Sequence, residues 1–373
     1  TLPATVLHGR LLPDPSALGA LRALAYLHAA AFARGFAGFE PSGVLQTIAS
    51  ATGDDAQIED ARLRTIAACW APDDDWLRVE SPSAASARAG WPVSRPALWF
   101  PHGGIVSTPT FVRALIDHPL IDTVPEDLPL PGQPGGPLPD PDTPVVLACG
   151  MWARQLGLAI GVDLPLYPVE HHYVLSEPIE GALPTLPCAR DPDAAIYFRT
   201  LDDGSIKLGA FQWRSKPWQI GDTVPGDFAF GLLPDDWEKF SEPWAAGKHR
   251  IPALRTAKFP KFVNGPESFT PVNNFLMGTP AGTEGLFVLA GFNSVGIASA
   301  GGVGKFAVPW LESGEMPMDL WSVDVRRFIP AQNGREYLQA RASEVLGLHY
   351  QMAWPNREME TSRDVRATPV HAL

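Results

Sequence analysis

Hydrophobic positions along the chain change period several times, and each change marks a new element. Residues 17–36, "ALGALRALAYLHAAAFARGF", are apolar apart from Arg22, His28 and Arg34 and a few small or polar neighbours, which predicts a partly buried helix. The stretch "SGVLQTIASATGDDAQIEDARLRTIAACW" ends in a second helix-like segment. "RPALWFPHGGIVSTPTFVRALI" reads as a short strand, a Gly-Gly turn and a helix capped by Ser107 or Thr108, with Pro109 near its first turn. Residues 125–144 are dense in proline and glycine, so they form a surface loop or linker. "PVVLACGMWARQLG" at 144–157 is strand, glycine turn and helix. "LFVLAGFNSVGIASAGGVGK" at 286–305 repeats that order. Between the two units the pattern is that of strands: "LYPVEHHYVLSE", "AAIYFRT" and "SIKLGAFQW", the last two joined by the hairpin signal "LDDG". The final 60 or so residues read as helix followed by an irregular tail.

Two strand–glycine–helix units around an antiparallel segment predict a mixed α/β (α+β) fold, a Rossmann-like nucleotide-binding layer interrupted by a substrate-binding sheet. Length agrees, since 373 residues accommodate two domains. A net charge of −12 disfavours a polyanionic partner. Cys69, Cys149 and Cys188 are too few and too scattered for a disulfide framework or a zinc site, which points to a reducing compartment, the cytoplasm or the mitochondrial matrix of a eukaryote. Cys149 is read as a small buried apolar residue. No apolar run is long enough for a membrane span, and no metal-ligand pattern surrounds the acidic runs. The chain opens with Thr1 rather than Met, as a processed chain or a fragment would.

The turn after Ala290 carries the chemistry. A helix start presents unpaired N–H donors and the positive end of its dipole, so it holds a phosphate or another electron-rich group. On these residues alone, the competing reading is a packing turn with no ligand.

From about Gly150 onward the chain resembles the flavin-dependent dimethylglycine and sarcosine dehydrogenases of the D-amino-acid-oxidase-like superfamily. The words that carry the resemblance are "PVEHHYVLSEP", "IYFR", "VNGPESFTP", "AGFNSVGIASAGGVGK", "PMDLWSVDVRRF", "YLQARASEVLGLHYQMAWP" and "SRDVRATPVHAL". Upstream, "SGVLQTIAS" and "ALWFPHGGIVSTPTFVRALI" are similar to the FAD-dependent module of the tRNA 5-methylaminomethyl-uridine enzyme. Both groups oxidise the C–N bond of an N-substituted glycine. One departure is plain: nothing in residues 1–39 matches the G-x-G-x-x-G unit that holds the ADP part of FAD. The match also stops near where those dehydrogenases pass into a folate-binding domain, so it does not imply tetrahydrofolate.

The resemblance implies FAD as cofactor, cradled by Gly291, Phe292, Asn293, Ser294, Gly296, Ile297, Gly301 and Gly302, with Gly150 and Trp152 as a second contact. The glycines would let backbone approach the ring, while Asn293 and Ser294 would offer side-chain hydrogen bonds. It places Tyr173 in the active site, with His171 or His172 to take the amine proton. Alternation along a strand sets His171 and Tyr173 on one face and His172 on the other. A substrate-carboxylate partner is not identified; Arg199 is a candidate otherwise read as a solvated edge residue. The implied reaction is FAD-dependent oxidation of a small N-methylated amino acid. Electrons would leave to an electron-transfer flavoprotein or to oxygen. Carboxymethylaminomethyl-uridine in tRNA and a non-catalytic, partner-binding role on the same scaffold are the alternatives. The expected division is an incomplete FAD-binding domain at 1–164 and 272–313, an antiparallel substrate domain at 165–271, and a helical extension at 314–373.

Overall fold

The computed structural model describes residues 5–7, 16–47, 64–69, 75–124, 140, 142–182, 185–221, 223–349 and 359–361. Most of the proline-rich segment at 125–144 lies outside them, as does much of the chain's last stretch.

An eight-stranded sheet dominates, and most of its strands come from the middle of the chain. In chain order the strands are β1 (Thr5–Leu7), β2 (Phe39–Glu40), β3 (Val44–Thr47), β4 (Arg78–Glu80), β5 (Ala97–Phe100), β6 (Gly104–Val106), β7 (Val145–Leu147), β8 (Tyr167–Leu175), β9 (Cys188–Asp191), β10 (Ile196–Thr200), β11 (Ile206–Ala210), β12 (Lys261–Phe269), β13 (Leu276–Gly278) and β14 (Leu286–Ala290). The large sheet runs β12-β8-β11-β10-β9-β3-β5-β4. Its pairs are antiparallel except β3 with β9. β3, β4 and β5 precede residue 165 yet belong to this sheet, so the sheet does not follow the division expected from local pattern.

Two three-stranded sheets complete the β structure, β1-β6-β2 and β13-β14-β7. In the second, β14 pairs in parallel with β7 (Val288 beside Leu147). Each of these two strands leads into a helix. β7 passes through a short 3-10 turn into α4 (Ala153–Ala159), and β14 through Gly291 into α6 (Gly296–Ser313). The other helices are α1 (Ala17–Ala33), α2 (Pro82–Ala89), α3 (Thr108–Ile116), α5 (Trp237–Arg250) and α7 (Arg335–Gly347). Ser16 caps α1 by accepting from the Gly19 N–H. Ser107 takes the N-cap position of α3, with Pro109 in the first turn, but its side chain makes no cap hydrogen bond.

Burial follows the pleat. On one face of the large sheet Val174, Leu208 and Phe198 pack against Phe240 of α5. On the other, Tyr167, Val169 and Phe211 pack against Leu338 and Ala342 of α7. Helices α1 and α6 cross at backbone contact. A Cβ on Gly302 would fall 2.1 Å from the Ala25 Cα, and one on Gly301 would fall 3.0 Å from the Ala29 Cα. These two glycines, expected at a cofactor, serve helix packing instead.

Gly302→Ala is therefore expected to destabilise the chain by about 1–3 kcal/mol, because backbone cannot yield to the new methyl group. Gly304→Ala, whose Cβ meets nothing within 4 Å, leaves the midpoint unchanged or raises it slightly. Thermal denaturation of the two variants checks the contrast.

Candidate active site

Two glycine turns meet at one edge of the β13-β14-β7 sheet. Val288 and Leu147 are the last paired residues; three positions further on stand Gly291 and Gly150, with φ of 63° and 54°. Both lie in the left-handed region that glycine adopts without strain. Parallel strands that end side by side and feed helix starts form the crevice where α/β sheets bind ligands. The α6 start has no side-chain cap, so its first N–H groups keep their donor capacity. A Cβ on Gly150 would meet nothing within 4 Å, and Cys149 beside it is exposed. That corrects the expectation of a buried Cys149: β7 ends there, and nothing among the described residues covers it.

The far side of the first turn is closed. A Cβ on Gly291 would collide with Leu166 Cδ2 at 2.4 Å and Thr270 Cγ2 at 2.6 Å. Asn293, 2% exposed, accepts from the Thr270 N–H at 2.7 Å and donates to Thr270 Oγ1 at 3.2 Å. Its amide thus fixes the turn, through positive φ at Asn293 and Ser294, and is not free for a ligand. Phe292 stacks on Phe275, centroids 4.7 Å apart. Ile297 packs against the α1 core. Trp152 donates its indole N–H to Pro225 O at 3.1 Å. A cavity beside the turn is lined by Tyr26, Asn274, Phe275, Phe292, Val295 and Ser299, among others.

The second cluster lies on the α7 face of the large sheet. Tyr173 pairs with Gly209, which pairs in turn with Tyr197. Ring atoms of Tyr197 occupy the place of a Gly209 Cβ, at 2.1–2.5 Å, so the missing side chain lets Tyr197 lean across β11. Arg199 and Lys207 sit directly opposite each other on β10 and β11. They are 6% and 8% exposed. Like charges facing each other across a sheet repel, and burial strengthens the repulsion. Among the described residues neither cation forms an ion pair, and Arg199 Nε has no hydrogen-bond partner. Lys207 Nζ lies 4.0 Å from the Tyr173 ring centroid and 5.6 Å from that of Tyr197. The arrangement is complementary to an anion.

Burial, with Arg199 adding repulsion, pushes Lys207 down to about 7. Burial raises Tyr173 to about 12, against the lowering influence of Arg199, so its hydroxyl stays a donor. Cys188, wholly buried, is raised to about 11 by burial and remains a thiol, donating to Phe198 O at 3.6 Å.

Of the two histidines, His171 shares this face. Its Nδ1 lies 2.9 Å from Glu267 Oε2, out of line for a hydrogen bond. Its ring sits 4.4 Å from that of Phe211. It pairs with Gly265, where a Cβ would meet nothing within 4 Å, so the space beside it is open. His172 points to the opposite face, is wholly buried, and meets Gln212. The structure therefore brings His171, Tyr173, Arg199 and Lys207 together and leaves His172 out. Arg199 is no solvated edge residue, because β9 and β3 extend the sheet beyond β10. Lys207 went unread in the sequence, although the hairpin arithmetic around "LDDG" sets it opposite Arg199. Leu166 touches the Gly291 turn, and Tyr173 follows seven residues later, about 23 Å of extended strand. A ligand that reaches both clusters is elongated.

Residues 133–310 match the family model described as FAD dependent oxidoreductase, and residues 313–368 the one described as FAD dependent oxidoreductase central domain. The chain is 46% identical over 229 residues to the 4-methylaminobutanoate oxidase (formaldehyde-forming) of Paenarthrobacter nicotinovorans, which covers 61% of this chain and 27% of that protein. It is 34% identical over 231 residues to mitochondrial sarcosine dehydrogenase of Mus musculus, 61% of this chain and 25% of the relative. It is 35% identical over 229 residues to the mitochondrial pyruvate dehydrogenase phosphatase regulatory subunit of Mus musculus, 61% and 26% respectively. The chain thus spans about a quarter of the length of these relatives. The fold is similar to that of L-proline dehydrogenase from P. horikoshii, with TM-score 0.63 and 18% identity over 86% of this chain and 85% of that one.

Lys207 predicts a pH dependence of stability. The folded state releases this proton near pH 7, whereas the unfolded chain holds it to the ordinary value of 10.5. Between those values the unfolded state binds more protons, so stability rises with pH. Lys207→Met is expected to remove that rise, as urea denaturation at pH 7 and pH 9 will show.

Proposed function

Because the chain belongs to the FAD-dependent oxidoreductases of the D-amino-acid-oxidase-like superfamily, we propose that it oxidises the C–N bond of an N-methylated amino acid. FAD, the cofactor that membership implies, supplies a two-electron acceptor for the hydride leaving the carbon next to nitrogen. The residues present fit such a group at the shared edge of β7 and β14. The α6 start is uncapped, and Gly150 opens onto free space. The main chain at 296–298 would stabilise negative charge by roughly 0.3–2 kcal/mol from the helix dipole.

The buried, unpaired Arg199–Lys207 couple beside Tyr173 carries the reading of the substrate. An amino acid brings a carboxylate, which neutralises the repulsion between the two cations and satisfies the orphaned Arg199 Nε. Tyr173 donates its hydroxyl to the same carboxylate or to the amine. His171, held against Glu267, takes the proton from the substrate ammonium, leaving a neutral amine able to release hydride. Loss of hydride gives an iminium; water adds, and the C–N bond breaks to give an aldehyde and the shorter amine. No observation at the site favours tRNA, and the net charge of −12 opposes it. A partner-binding role without catalysis would leave the buried cation pair without purpose.

The test is to load the chain with FAD and add sarcosine, dimethylglycine or 4-methylaminobutanoate anaerobically. Visible flavin absorbance is expected to bleach, with release of one equivalent of formaldehyde per turnover. Arg199→Gln should lower kcat/KM at least roughly 30-fold, about 2 kcal/mol, mainly through KM. A variant whose KM stays within about twofold of the parent would remove Arg199 from substrate binding. Lys207 adds a sign: carboxylate affinity should fall about fivefold from pH 7 to pH 8 as its ammonium is lost, and Lys207→Met should flatten that fall.

A further inference from the structure

On the face of the large sheet opposite Tyr173, three ligand-type side chains converge beneath the start of α5. Glu170 and His172 come from alternate positions of β8, and Asp236 is the N-cap residue of α5. One potential ligand atom from each lies within 4.8 Å of the others. His172 is wholly buried, and its Nε2 has no hydrogen-bond partner; it is aimed at Glu170 Oε2 from 3.7 Å. An unpartnered imidazole nitrogen in a buried site is costly, so its orientation toward two carboxylates asks for a ligand.

We propose that Glu170, His172 and Asp236 form a divalent-cation site, suited to Zn2+. The chemistry of the donor set supports this choice. One imidazole and two carboxylates match zinc, whereas calcium and magnesium favour oxygen alone. Bonds of about 2.0–2.2 Å to a common tetrahedral ion set ligand atoms roughly 3.5 Å apart. His172 Nε2 and Glu170 Oε2 already stand 3.7 Å apart, and the Asp236 oxygen, within 4.8 Å, would move in by as much as about 1 Å. The surroundings supply the groups that normally orient such ligands. Asn264 donates to Glu170 Oε2 at 2.7 Å, and the Gln212 amide lies 2.7 Å from His172 Nδ1. Gln212 Oε1 has no partner, so turning the amide over lets it accept the Nδ1–H. His172 Nε2 then presents its lone pair to the ion.

The resident competitor is Lys216. Its Nζ lies 3.4 Å from Glu170 Oε1 and 3.9 Å from Asp236 Oδ2. It is half-exposed, so its head can swing into water when a divalent ion enters. Bound there, the ion would tie the α5 start to β8, the strand next to the β12 edge of the sheet.

Titration calorimetry of the chelator-washed full chain with Zn2+ alone tests the site. One equivalent is expected to bind, with a raised thermal midpoint. Glu170→Gln and His172→Ala should each weaken binding at least about tenfold. Lys216→Met, at a half-exposed position, should tighten it by removing the competing ammonium. Either of two results overturns the site: no Zn2+ binding by both the parent and Lys216→Met, or binding unchanged in every variant that folds, as judged by circular dichroism.

Discussion

The pleat of β8 is the constraint on which both side-chain clusters of this molecule rest. Successive side chains of an extended strand leave opposite faces, so His171 and Tyr173 enter one environment and Glu170 and His172 another. The strand is interior, held between β12 and β11, and the nine-residue ladder with β12 leaves no freedom of register. A slip of one residue would put Tyr173 under α5 and His172 beside Lys207. The hydrophobic partners resist it: Val174 is committed to Phe240 and Phe262 on one side, and Val169 to Phe211 on the other.

The Tyr173 face of the large sheet shows how a fold can hold like charges together. Arg199 and Lys207 are neighbours because a tight hairpin pairs them, and they are buried because three strands from the first third of the chain extend the sheet past β9. Tyrosine rings on either side provide electron-rich surface that eases the repulsion without neutralising it. A lowered affinity of Lys207 for its proton is the local answer when no anion is present. Perturbation of this kind, held at one place and tolerated by a well-packed remainder, is the kind that clusters at functional sites.

Much of this was legible in the sequence where the signal was local. The strand–glycine–helix units, the "LDDG" hairpin and the opposite facing of His171 and His172 all followed from period and turn chemistry. The resemblance to the dehydrogenases supplied the cofactor. Two kinds of fact were not legible. Burial of Arg199 depends on strands more than ninety residues distant, and no local window contains them. The glycines at 301 and 302 look like part of one ligand-cradling run with Gly291 and Gly296, yet one turn of helix carries them onto α1. Asn293 offered a polar side chain in the right place, but Thr270 was there to claim it.

The meeting of α1 with α6 has a mechanical meaning. Ala25 and Gly302 touch through main chain, with no side chain between them to compress or rotate. Such a joint transmits tilt instead of absorbing it, as two rods welded at mid-length do. Reorientation of the first helix would swing the amide-bearing tip of the second, and the turn at Gly291 would feel a disturbance that began at the far helix.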